Sequence, residues 1–157
     1  MILYTRQILF LLSVMLLFAC NSSSEEHLIS NDLVFHPSHE PSRADKPFSD
    51  AVQAGSTFYL TGQIGLDHST GKLVEGGIEA ETRQTLENIK DVLAYHNMEM
   101  NDVVKATVIL DSIGDFSAFN SIYIHYFPNK PARTTFAAES IARNAKIEIE
   151  VVAFRPD

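Results

Sequence analysis

The residues best suited to chemistry stand near the end of the chain. The segment NKPARTTF (129–136) sets Arg133 among small and β-branched residues, after the rigid lead-in Pro131-Ala132. A guanidinium is planar and grips a carboxylate through two parallel hydrogen bonds. On a strand its direction is set, which suits holding an acid in one orientation. Glu148, within AKIEIEVVAF (145–154), lies on what reads as the next strand. If the two strands pair, both groups face one pocket, where the carboxylate polarises a water molecule as general base. A plain cross-strand ion pair is the alternative.

Other residue types offer less. His36 and His39 have the composition of a metal pair but lack further ligands, and His68, His96 and His125 show no ligand spacing. Ser49, Ser56 and Ser69 have no nucleophile-elbow context. Thr70-Gly71-Lys72 lacks the glycine-rich run of a phosphate loop. The single cysteine, Cys20, leaves no thiol in the folded part to act as nucleophile, metal ligand or disulfide partner.

The elements that must position Arg133 and Glu148 follow from periodicity. Phe48 to Gln53 and TFYLTGQI (57–64) read as strands around an Ala54-Gly55-Ser56 turn. Asp67 to Gly77 reads as a loop. A helical period follows, with Leu86, Ile89, Val92 and Leu93 on one face and Glu79 and Glu81 at the positive end of the dipole. DVVKATVIL (102–110) is a strand. Asp115 is placed to cap a second helix, striped by Phe116, Phe119, Tyr123 and Tyr126 and ended by Pro128 and Pro131. Arg133–Glu139 and Lys146–Phe154 close the chain as strands. The order β-β-α-β-α-β-β implies an α+β layer with both helices on one face of the sheet. In the last strand Ile147, Ile149, Val151 and Ala153 point one way, while Lys146, Glu148, Glu150, Val152 and Phe154 point the other. That second, mixed face suits packing against other subunits around a wet site.

At 157 residues and 45% hydrophobic composition the chain has material for one cored domain, and its net charge of −8 disfavours nucleic-acid partners. Arg6, the apolar run Ile8 to Phe18 and Leu17-Phe18-Ala19-Cys20 have the form of a bacterial lipoprotein signal. Residues 1–19 are then a signal peptide and 20–45 a lipidated Cys20 with a flexible tether, in which Leu33-Val34-Phe35 is an apolar patch able to dock. The globular domain runs from 46 to 157. This implies an extracytoplasmic, membrane-anchored protein, with Asn21 after the cysteine leaning towards the outer membrane. An ordinary secretory signal or an uncleaved anchor are the alternatives.

TGQIGLDHSTGKLVEGGIEAETRQTLENIKDVL, DVVKATVIL, FNSIYIHYF, PARTTF and KIEIEVVAF, in this order, resemble the Rid (YjgF) family of reactive intermediate deaminases. The resemblance implies a chorismate-mutase-like fold, a homotrimer around a central barrel, and sites in the clefts between subunits. It implies hydrolysis of 2-imino acids, such as 2-iminopropanoate and 2-iminobutanoate, to 2-oxo acids and ammonia, without metal or cofactor. Arg133 then binds the substrate carboxylate and Glu148 activates water. Gly62 borders the site after Thr61, and Asn120 joins it from the second helix. Thr135 stands where many members have cysteine, and Phe48 where many have tyrosine, which removes a hydroxyl. The other reading of the same fold is a non-catalytic binder or sensor of small carboxylates.

Overall fold

The computed structural model describes residues 33–155. The signal segment, Cys20 and the tether up to residue 32 lie outside the described residues. Nine strands and two α-helices follow: β1 Leu33–His36, β2 Ala51–Ala54, β3 Thr57–Leu60, β4 Gln63–Ile64, β5 Leu66–Asp67, β6 Lys72–Leu73, α1 Gly77–Tyr95, β7 Val103–Leu110, α2 Phe116–Tyr126, β8 Ala132–Ala137 and β9 Ile147–Phe154. The main sheet runs β1-β2-β3-β9-β7-β8, with β4 also pairing with β9. Only β7 and β8 pair in parallel, joined through α2; the other pairs are antiparallel.

The period-2 pattern of the last strand is realised: Ile147, Ile149, Val151 and Ala153 are buried under the helices. Leu86, Ile89, Val92 and Leu93 of α1 meet them, as their helical spacing requires. Burial of each such aliphatic side chain contributes about 1.5–3 kcal/mol. α1 stops where Asn97 takes the left-handed conformation (φ 56°) that asparagine tolerates. The Asn97 and Met98 N–H groups then turn back to donate to the Ala94 and Leu93 carbonyls.

Several expectations are revised. Asp67–Gly77 is not a plain loop, because Leu66–Asp67 and Lys72–Leu73 form a small hairpin. Asp115 sits at the start of α2 without capping it; Ser112, one turn earlier, accepts from the Gly114 N–H at 3.2 Å. The aromatic stripe of α2 splits: Phe119 and Tyr123 are core with Ile122, whereas Phe116 is 38% exposed and Tyr126 is half-buried. The 3-10 turn Ile113–Asp115 that precedes α2 leaves Phe116 at its outer rim.

The stretch read as a tether is structured from Leu33 onward. Leu33–His36 pairs with Ala51–Ala54 as the sheet's edge strand, and Pro41–Arg43 forms a 3-10 turn. The patch docks through its main chain; Leu33, Val34 and Phe35 stay exposed. Arg43 is then carried to Asp50, whose carboxylate is 2% exposed, with Arg43 Nη2 2.9 Å from Oδ1. A buried carboxylate demands such a partner.

Candidate active site

Arg133 projects from β8 towards α2. Its guanidinium carbon lies 4.6 Å from the Tyr123 ring centre, 5.1 Å from Phe119 and 5.6 Å from Phe116. Aromatic faces attract the cation and hold its plane. Burial pushes the Tyr123 phenol up, an effect the neighbouring Arg133 opposes. The guanidinium borders a cavity of about 770 Å³, together with Asn120, Ser117, Ser121 and Lys130. Among the described residues, no carboxylate lines it. A guanidinium fixed in this way, beside an amide side chain and without an internal counter-ion, is a receptor for a small anion.

Glu148 is half-buried on β9, with Ile64 of β4 and Ile109 of β7 as its cross-strand neighbours. Burial raises its carboxyl above the ordinary range, and the charge of Glu150 adds to the rise. The carboxylate lies directly over Gly62, where a Cβ would overlap its oxygen. Glycine is thus required there by the close approach of the acid rather than by a turn.

The two groups do not share a pocket within one chain. β8 and β9 do not pair, because β7 lies between them. Arg133 is in register with Ala106, on the helix-covered face, whereas Glu148 is in register with Ile109, three residues along β7 and hence on the open face. The simple cross-strand ion pair is excluded by the same register. The strands are consecutive in sequence, but the parallel β7–α2–β8 unit puts β8 at the outer edge, which spacing alone did not reveal.

The remaining expected site residues fall into three places. Asn120 lines the Arg133 cavity. Thr135, two residues along β8, shares Arg133's face, and its buried hydroxyl has no hydrogen-bond partner among the described residues. Thr61 and Gly62 lie with Glu148, and the Thr61 N–H donates to the Asp50 carbonyl at 2.9 Å. Phe48, 47% exposed, sits under Arg43 at 5.4 Å, away from the lining of the Arg133 cavity.

The roles of several positioning groups escaped the sequence reading, although Gln63, Gln84 and Asn88 stand within the motifs that carry the family resemblance. Asn88 of α1 is buried and donates to the carbonyls of Ile64 and Leu66 at 3.0 and 2.9 Å. Gln84, one turn earlier, donates from its side-chain amide to the Asn88 side-chain oxygen Oδ1 at 2.8 Å. This Gln-x-x-x-Asn pair, at i,i+4 spacing, holds the short strands β4 and β5 that follow Gly62. Glu81, read as a helix-dipole residue, instead accepts from the Lys146 N–H at 2.7 Å and so anchors the start of β9, two residues before Glu148. Burial raises the Glu81 carboxyl, opposed by that hydrogen bond. Gln63 is also buried and accepts from Arg43 Nη1 at 2.6 Å. The signal for Asn88 and Glu81 was present as polar residues on the inward side of an apolar helix face. Among the described residues, no group of three His, Cys, Asp or Glu side chains is arranged to hold a metal.

Comparison with known proteins agrees with this architecture. The family model described as endoribonuclease L-PSP matches residues 38–155. The human protein named 2-iminobutanoate/2-iminopropanoate deaminase is 42% identical over 110 residues, covering 69% of this chain and 80% of that one. The crystal structure of a protein of the conserved Rid family from Yersinia pestis superposes with a TM-score of 0.74 at 34% identity, covering 79% of this chain and 100% of that one. TdcF of Escherichia coli, solved with bound serine, superposes with a TM-score of 0.68 at 26% identity, over 78% of this chain and 94% of that one.

Proposed function

The chain belongs to the Rid (YjgF) family, described as endoribonuclease L-PSP, and on that footing we propose that it hydrolyses reactive 2-imino acids of the 2-iminopropanoate and 2-iminobutanoate type. The observation that carries this reading is Arg133, stacked on three aromatic rings and facing a cavity with Asn120 and no carboxylate. It takes the substrate carboxylate, as serine bound to a similar fold is consistent with. Glu148 accepts a proton from water as the water oxygen attacks the imine carbon. Glu148 returns that proton to the nitrogen of the tetrahedral adduct, the adduct's hydroxyl proton follows, and ammonia leaves with the 2-oxo acid remaining, so imine and water are consumed one for one. An imine is already electrophilic, so orientation and one base supply most of what the reaction needs.

Because Arg133 and Glu148 occupy opposite faces of one sheet, the complete site takes Arg133 from one copy and Glu148 with Gly62 from a neighbour. The open face bearing Tyr59, Phe136, Phe154 and Glu148 is the surface such a homotrimer would cover, and Tyr59, Phe136 and Phe154 are each about half-exposed in the single chain. The description endoribonuclease is not carried over: a chain of net charge −8 repels phosphate backbones.

The test uses the fragment from residue 21, with 2-iminopropanoate generated by an amino-acid oxidase. The wild type accelerates loss of the imine, and Arg133→Ala lowers kcat/KM roughly 10- to 100-fold, the range for losing one charge-assisted hydrogen-bonding group. Equal acceleration by both would end this reading. Saturable binding of a 2-oxo acid without turnover would favour the non-catalytic binder. We further propose lipidation at Cys20 and an extracytoplasmic, membrane-anchored location, supported by the Leu17-Phe18-Ala19-Cys20 sequence. Cys20→Ser should abolish acyl labelling and release the protein from the membrane fraction.

A further inference from the structure

Lys130 is the second cation on the wall of the Arg133 cavity. Its backbone is held by both neighbours. Phe127 to Lys130 form a tight turn closed by the Lys130 N–H donating to the Phe127 carbonyl at 3.1 Å, with Pro128 and Asn129 at the corners. Pro131 follows directly. Lys130 takes a left-handed φ of 52°, which glycine or asparagine adopts more easily than lysine and which a residue before proline disfavours further. A residue kept in that conformation has its Cβ direction set by the turn. No carboxylate lies within ion-pair distance of its ammonium among the described residues, although acids outnumber bases in this chain by 20 to 12. Two cationic residues, Arg133 and Lys130, thus line the cavity of the single chain with no carboxylate beside them among the described residues, and its volume leaves room beyond Arg133 for more than a three-carbon acid.

We propose that Lys130 is a specificity-determining residue and that the preferred ligand is a dicarboxylic 2-imino acid of four or five carbons. Arg133 holds the carboxylate next to the imine, and Lys130 pairs with the distal one. The chemistry at the imine carbon is unchanged: water adds and ammonia leaves. This inference rests on the proposed function for the hydrolytic step and stands apart from it for binding.

The experiment compares 2-oxoglutarate with pyruvate by titration calorimetry on the full chain in detergent, for the wild type, Lys130→Gln, Lys130→Arg and Arg133→Ala. In parallel, kcat/KM is measured for the imines derived from glutamate and alanine. The wild type should bind 2-oxoglutarate at least about tenfold more tightly than pyruvate, and Lys130→Gln should erase that preference while leaving pyruvate unaffected. Lys130→Arg should retain it. The kcat/KM ratio of the two imines should follow the same pattern. Equal affinity of the wild type for both acids would overturn the inference. So would a uniform loss on both imines in Lys130→Gln, which would assign Lys130 to a neighbour's Glu148. If Arg133→Ala binds both acids as the wild type does, the proposed function fails instead. Retained discrimination without turnover leaves Lys130 in its role and removes the hydrolysis.

Discussion

Arg133 and Glu148 are separated by a single strand, and the odd spacing of their partners on it, Ala106 and Ile109, turns them to opposite faces of the sheet. On the proposed function, a chain built this way holds its two site groups where they cannot meet within itself.

Mixing two impaired proteins should therefore raise activity. Arg133→Ala and Glu148→Gln, each unfolded and refolded alone, should keep at most about a tenth of the wild-type rate. Refolded together, they assemble some sites with an intact Arg133 from one copy and an intact Glu148 from the next. Random assortment makes that about a quarter of all sites. Recovery of imine hydrolysis on mixing is the measurement; no recovery, with mixed trimers demonstrated by mass, would refute a shared site.

Glu148 should set the acid limb in the pH dependence of kcat, and its rise above the ordinary carboxylate range is opposed in the proposed shared site by the neighbour's Arg133. Glu148 must be ionised to accept a proton from water, and burial, then the charge of Glu150, raises its pKa. Activity is accordingly lost as pH falls through that value. Glu150→Gln removes one of the two causes and should move the limb to lower pH without abolishing activity. A limb that stays in place would show that Glu150 is not felt at Glu148.

Arg43→Met should destabilise the fold by about 3 kcal/mol, the usual cost of removing one partner of a buried pair. It strands the Asp50 carboxylate, which is 2% exposed, and deprives Gln63 of the donor on its carbonyl. Urea unfolding of the fragment from residue 21 reads this directly. A change within about 0.5 kcal/mol, the range for ordinary surface substitutions, would mean that residues 41–43 contribute little to the domain.

Much of the fold was legible because periodicity is a direct image of burial. The alternation Ile147, Ile149, Val151, Ala153 and the helical set Leu86, Ile89, Val92, Leu93 fall in the core as their spacing requires. Arg133, Asn120, Glu148 and Gly62 were named from residue type and family likeness, yet their grouping was not legible. Pairing order within a sheet depends on which crossover a helix makes, and nothing local to β8 or β9 encodes that β7 separates them. The same holds for Arg43 and Asp50, seven residues apart, whose ion pair depends on a short edge strand folding back. Polar, proline-rich flanks hid that strand. Glu81 and Asn88 were visible as letters, but their roles as acceptor and donor to distant main chain needed three dimensions.

The edge strand Leu33–His36 and the strand bearing Arg133 stand at the two ends of the sheet, five inter-strand steps or about 24 Å apart. Whatever grips the chain ahead of Leu33 pulls on the margin opposite the mouth of the cavity. A protein held by its leading residues would thus be held at the sheet margin opposite the one that carries Arg133.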